Sequence, residues 1–408
     1  MKRVWVAAAA SALIFLLAGG GLFLTFRQPK VTSATTRTWA TATPSPSSST
    51  SASPSPSSST DQIHGVQATL PSCSAGALYS VSPIEPDKLS YILPLGNFTP
   101  LPSDHLYFVI TRGAANGTNA PTETVKLFAP GDITVFRIGR QVQTTNGKIV
   151  NTDYYMNFAP CREVSGAFGH VSSLAGRLAG IDFDNCETPY SIGNGSLYEH
   201  CAAEVNIEVR AGEQLGTAGG KSSAALDFSS DDWRVPAPYV ANPDHHYDLQ
   251  ASCALKYYEG SLKTSLQLLL GRGGDGRHLA QGCGEVFQDK QGTLQGNWFN
   301  GTPAQTSNDI RKLLALAHEN VDPRIAVISI GGTITQRGEW RFDPTHSGTL
   351  NREFSEVTPG DAIYCYQASG MPGRILIELI SETNLKIEHQ SGSCTASVAF
   401  AQPFDYQR

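Results

Sequence analysis

Residues 205–228 read VNIEVRAGEQLGTAGGKSSAALDF, and the fold is decided on this stretch. Val205, Ile207 and Val209 alternate with Asn206, Glu208 and Arg210, the period of two of a half-buried strand. Ala211-Gly212 and Gly219-Gly220 punctuate it, since glycine suits tight turns and close backbone approach. Ala225-Leu226-Asp227-Phe228 then forms a second short strand carrying an acid, so the stretch is a β-motif and not a helix.

Upstream, the same grammar continues. Lys126 to Gly139, KLFAPGDITVFRIG, sets an Ala-Pro-Gly-Asp turn before the β-prone run Ile133 to Ile138. Asp153 to Ala159, DYYMNFA, is another strand, and Gly169-His170-Val171-Ser172-Ser173-Leu174 follows after a short turn. Residues 61–238 therefore read as one β-rich domain.

Four of these elements, taken in order, resemble the lysostaphin-type zinc endopeptidases that cut peptidoglycan, enzymes of the duplicated hybrid motif class. In that family an Ala-Pro-x-x-Gly-x-Val strand, an extended strand, a Tyr-x-His-Leu segment and a glycine turn lead into a His-Leu-His-Phe strand. The similarity covers roughly half of the folded part, and the interval holding Cys186 and Cys201 is an insertion relative to it. The resemblance implies a duplicated-hybrid-motif-like fold and a peptidase ancestry. It also implies site residues. His105-Leu106-Tyr107-Phe108-Val109 matches the early His-x-x-x-Asp motif, keeping the histidine and replacing the acid with Val109. Asp227 and Ala225 stand where the His-x-His pair would be, and His170 stands where the Tyr-x-His-Leu histidine would be. The implied metal ligands are His105 and Asp227, and the implied catalytic residue is His170.

Catalytic zinc needs three protein ligands and an open position for an acidified water. One familiar ligand remains here, one is apolar and one is an acid in place of an imidazole. The expectation is therefore a peptidase-like domain without its metal, binding peptidoglycan or an envelope protein, with no cofactor. A zinc metallopeptidase using a rearranged set of His105, Asp227 and His170 is the alternative, with zinc as its cofactor. A structural cell-surface protein is a third reading, in which the two histidines are locally hydrogen-bonded strand residues and Asp227 is a surface or capping acid.

The flanks set the compartment. Val4 to Phe26 carries no charge and lies between Lys2-Arg3 and Arg27. At about 1.5 Å per residue it crosses a ~30 Å hydrocarbon core, and it exceeds the usual signal-peptide core. Residues 1–30 are read as a membrane-anchoring transmembrane helix, the competing reading being a cleaved secretory signal; either way the rest is extracytoplasmic. Residues 31–60 are dominated by Ser, Thr, Ala and Pro and form a tether that cannot bury enough apolar surface to order itself.

All 8 cysteines follow the tether, as expected of an exported disulfide framework, and no C-x-x-C spacing suggests a zinc ribbon. Spacing and domain division pair Cys253 with Cys283 and Cys365 with Cys394, leaving the other four to the first domain. The net charge of -6 and the absence of a basic, aromatic-interleaved stretch argue against nucleic acid.

Residues 239–408 form a second, α+β or antiparallel β domain of no recognised family. One or two helices are expected within Pro243 to Leu270, interrupted at Gly260. Strands are expected at Arg324 to Ile334, Gly338 to Phe342, Ala362 to Gln367, Arg374 to Ile380 and Leu385 to His389. Asp244-His245-His246, His318-Glu319 and Asp343-Pro344-Thr345-His346 offer imidazole and acid groups without a nucleophile elbow. Gly271 to Gly276 lacks a P-loop ending, and Trp298 and Trp340 would suit sugar stacking only if exposed. The whole chain is thus mainly β with some α.

Overall fold

The computed structural model describes residues 63, 65–111, 122–191, 195–220, 223–241, 249–273, 278–280, 282–301, 310–395 and 397–408. The anchor and tether readings, and Asp244-His245-His246, lie outside the described residues. Among the described residues no helix is long and apolar enough to cross a membrane.

Two large antiparallel sheets make up the described chain, as strand alternation led one to expect. The first contains β1 (Leu89–Leu93), β2 (His105–Ile110), β3 (Thr124–Phe128), β4 (Ile133–Thr145), β5 (Lys148–Cys161), β6 (Val164–Leu174), β7 (Asn185–Cys186), β8 (Ser196–Val209), β9 (Gln214–Gly219) and β10 (Ala225–Asp232). Its order is β1-β2-β10-β6-β5-β4-β8-β7, with β9 joining β3 to the end of β6. After a small ribbon of β11 (Gly271–Arg272) and β12 (His278–Leu279) comes the second sheet. It holds β13 (Gly296–Asn300), β14 (Leu313–His318), β15 (Ala326–Ile330), β16 (Gly338–Phe342), β17 (Tyr364–Tyr366), β18 (Arg374–Ser381), β19 (Asn384–Gln390) and β20 (Phe404–Gln407), in the order β16-β15-β14-β13-β20-β19-β18-β17.

Alternation explains which way each strand faces. On β2, Leu106, Phe108 and Ile110 are buried while His105, Tyr107 and Val109 lie on the half-exposed face. The buried side meets Phe228 of β10, which packs among Tyr79, Phe108, Phe158 and Phe168 at ring-centroid separations of 4.9–6.3 Å. The polar face of β2 is thereby turned away from that aromatic core. The long hairpin β4–β5 closes on Asn146-Gly147, whose φ values of 51° and 73° are the left-handed pair that a two-residue hairpin turn requires.

The first core continues past residue 238. Ala254, Leu255, Tyr257, Tyr258, Leu266, Leu270 and Val286 are buried in it. The expected helical region is a 3-10 turn, Ala254–Tyr257, followed by helix Gly260–Gln267, so Gly260 opens the helix and does not interrupt one. The second core gathers Trp298, Phe342, Phe354, Tyr366 and Tyr406. Trp298 is wholly buried, with Nε1 donating to the Leu294 carbonyl, and Trp340 is buried as well, so neither offers a stacking surface. Phe98 packs on Ala315, Ala317 and Val327, covering the other face of β14 and β15.

Four disulfides staple the fold: Cys73–Cys161, Cys186–Cys201, Cys253–Cys283 and Cys365–Cys394. The two pairs expected from spacing are present.

Two buried carboxylates give the fold an acid limit. Burial alone would push Glu353 up, but hydrogen bonds from His318 Nε2 (3.1 Å) and the Ser355 amide (3.1 Å) outweigh it and hold the carboxyl at about 2. Burial likewise opposes ionisation of Asp232, and Arg234, Lys256 and Tyr257 overcome it, holding the group well below its usual range. A depressed folded-state pKa contributes stability that is present above the unfolded value near 4 and is lost as pH falls through the folded value. Acid titration of unfolding free energy should therefore show a decline from about pH 5 towards 2. Glu353→Gln should flatten that decline while lowering stability at neutral pH.

Candidate functional site

Strand β10 lies between β2 and β6, and that position assembles the site. Antiparallel register sets Asp227 opposite Tyr107 on one side and opposite Gly169 on the other, with Ser229 opposite His105. Directly opposed residues share a face. The three residues singled out from sequence, His105, His170 and Asp227, consequently meet. Asp227 Oδ2 is 3.6 Å from His105 Nε2 and 3.5 Å from His170 Nε2. Asp227 is 7% exposed in mid-strand, so it is neither a surface acid nor a cap.

His170 reaches the site through a bulge. Between the pairs Tyr154–Val171 and Met156–Phe168, β6 has one residue more than β5, and His170 adopts φ 61°. A non-glycine residue in the left-handed region is uncommon and costs energy that the surroundings must supply. Bulges of this kind re-aim a side chain, here towards β10. Gly169 completes the fit, because a Cβ there would stand 3.1 Å from Asp227 Oδ2. Gly169→Val should therefore displace the Asp227 carboxylate and cost about 1–3 kcal/mol by overpacking, measured as a lower denaturant midpoint.

Each imidazole is clamped from behind by an acid. His105 Nδ1 is 2.7 Å from Asp104 Oδ1, and His170 Nδ1 is 2.8 Å from Asp153 Oδ2. With Nδ1 engaged as donor, Nε2 of each neutral ring presents its lone pair towards Asp227. Burial alone would lower both histidines, but the charges of Asp227 and of the clamping acids win. His105 is raised, and His170 reaches about 9. In the same way burial would raise Asp104, and its hydrogen bond and charge interaction with His105 bring it below the usual carboxylate range. Burial and the nearby Asp104 charge push Asp231 up to about 7.

Tyr107 is the aromatic wall, its ring centroid 4.6 Å from that of His105. Burial first and the Asp227 charge second keep its phenol protonated well above the ordinary range. Neither Tyr107 nor the two clamping acids was singled out in the sequence. Asp104 lies next to His105 in the chain, whereas Asp153 meets His170 only through the β5–β6 pairing. Val109 and Ala225, directly opposite one another, form an apolar patch beside the cluster.

Zinc held at about 2.0–2.2 Å by nitrogen and oxygen in tetrahedral array places neighbouring ligand atoms about 3.3–3.5 Å apart. The two Asp227–imidazole separations match that edge length. The buried Asp227 Oδ1 has no hydrogen-bond partner, which suits a carboxylate shaped to meet a cation. The third edge is longer. Among the described residues, sets of three ligand atoms mutually within 4.8 Å are Cys73–Cys161–Glu163 and Cys186–Glu199–Cys201, whose sulfurs are committed to disulfides. The two histidine nitrogens thus stand wider than this limit. Asp227 fits a metal together with either ring, and the two rings would complete a three-ligand set only by closing on each other.

The other imidazole–acid groups are dispersed. His318 pairs with Glu353, Glu319 with Arg272 (2.6 Å) and Arg341 (3.3 Å), and His346 with Glu356 (2.8 Å) at an exposed position. These are separate ion pairs, with no shared centre. Compared with protein-family models, curated proteins and solved structures, the chain matches none.

Proposed function

We propose that this is an exported, membrane-anchored protein of the cell envelope whose first β unit carries a zinc-type hydrolytic site for peptide bonds, with an altered ligand set. The observation that carries the reading is the buried Asp227 carboxylate, whose Oδ1 has no hydrogen-bond partner and whose Oδ2 lies at zinc-ligand spacing from two imidazoles with their far nitrogens held by acids. Asp227, His105 and His170 would hold the metal once the two rings close on each other, and when bound it would acidify a water. Asp104 and Asp153 fix the two rings through their Nδ1 atoms. Export is supported by the charge-free N-terminal stretch and by four disulfides, which persist in oxidising compartments. The test is elemental analysis of the full-length chain after zinc loading and dialysis, followed by release of amines from cell-wall peptides. One zinc per chain with turnover is expected; absence of bound zinc under these conditions would remove the proposal.

A second reading is favoured by the Val109–Ala225 patch. These two positions supply neither a ligand nor a proton donor, as a peptidase-derived domain that only binds its envelope ligand would allow. That reading expects retention on cell-wall material with no zinc and no hydrolysis.

A further inference from the structure

The strands that position His170 and Asp153 part company immediately beyond them. β5 and β6 are paired as far as Tyr154–Val171. Past that point the end of β6 turns to pair with β9, while residues 148–153 of β5 remain bonded to β4 alone. Among the described residues no ladder is recorded on the other edge of that segment. The fork frames a shallow, open groove with Ile149, Val150, Asn151 and Thr152 on one wall and Ser172 and Gly219 on the other. Among the described residues that line it none carries a charge, and Lys148 and Asp153 bound that stretch of β5. Ile149 and Val150 are 68% and 56% exposed, far more than their apolar side chains would favour.

We propose that this fork receives an uncharged, extended polypeptide segment that adds as a strand to the edge of β5 left unpaired among the described residues and is thereby led to His170. Three features select that occupant. A strand edge offers alternating amide donors and carbonyl acceptors, which only another extended backbone satisfies in series. The uncharged stretch Ile149–Thr152 between Lys148 and Asp153 disfavours a charged chain there, and the exposed Ile149–Val150 pair offers an apolar contact to alternate side chains. Finally, the groove lies beside the cluster, since its lining residue Thr152 is followed on β5 by Asp153, the residue bonded to His170. The inference deepens the peptide-directed reading of that site and rests on it for its biological sense, although strand addition itself requires no metal.

Hydrogen exchange of the full-length chain tests it. The probe is a mixture of blocked hexapeptides built from Gly, Ala, Ser, Thr, Val and Leu, set against the same mixture N-methylated at alternate amides. The plain mixture is expected to slow exchange across residues 148–153 by about tenfold or more, and the methylated mixture is expected to leave it unchanged. Val150→Asp, at an exposed position and checked for folding by circular dichroism, should abolish the protection. His105→Ala should retain it, so a failed metal site and a failed strand-addition site give different results. Equal protection by both mixtures, protection located elsewhere, or none at all would overturn the proposal.

Discussion

His105→Ala and Asp227→Ala are each expected to abolish retention of zinc by the full-length chain through dialysis, with the wild type keeping about one equivalent. The size of the effect follows from how little redundancy the site has. Asp227 stands at the fitting edge length from both imidazoles, the two rings stand wider from each other, and Val109 offers no donor. Losing an orienting partner typically costs a metal site roughly 10–100-fold in affinity, and losing a ligand costs more. Asp104→Asn and Asp153→Asn should accordingly weaken binding by about that range while leaving stoichiometry at saturating zinc intact. pH adds an independent check. In the metal-free protein His170 is held to about 9, so metal entry must expel a proton wherever that ring is drawn in. Zinc affinity should rise with pH up to that value, and proton release should be measurable by calorimetry in buffers of different ionisation enthalpy. If His105→Ala and Asp227→Ala retain zinc as the wild type does, the metal lies elsewhere and the reading fails.

Phe228→Ala is expected to destabilise the first β unit by about 3–5 kcal/mol, read by chemical denaturation. Phe228 is fully buried and touches four other rings, so truncation leaves a cavity at the centre of a cluster that cannot readily collapse. The effect should extend to the site although Phe228 faces away from it. β10 is held between β2 and β6, and the register that sets Asp227 between His105 and His170 is the same register that buries Phe228. Zinc should therefore stabilise the wild type more than the variant. Equal thermal shifts on zinc addition in both proteins would show that core and site are uncoupled.

Much of the second sheet was legible because its strands are short and bounded by Gly, Pro and Asn. Gly338–Phe342 has the expected limits, and Arg374–Ser381 and Asn384–Gln390 differ from expectation by a residue at their ends. β14, Leu313–His318, escaped notice for a physical reason. Leu314 and Leu316 enter the second core while Ala315 and Ala317 lie under Phe98, so both faces are buried and no alternation marks the strand. The β4–β5 hairpin was announced by Asn146-Gly147, a turn signal that local reading could have used.

At the site, sequence by itself determined the residue types and their strands: imidazoles at 105 and 170, an acid at 227, and apolar replacements at 109 and 225. It pointed as well to a disulfide framework, because an even set of cysteines follows a charge-free N-terminal stretch. Only tertiary structure decided that the three site residues meet, that Asp227 is buried, and that Asp104 and Asp153 stand behind the two rings. The reason is that strand periodicity is local information, whereas neighbours across a sheet depend on pairing order and register. Here β10 pairs with strands more than fifty residues away in sequence, and a one-residue bulge at His170 sets where its ring points.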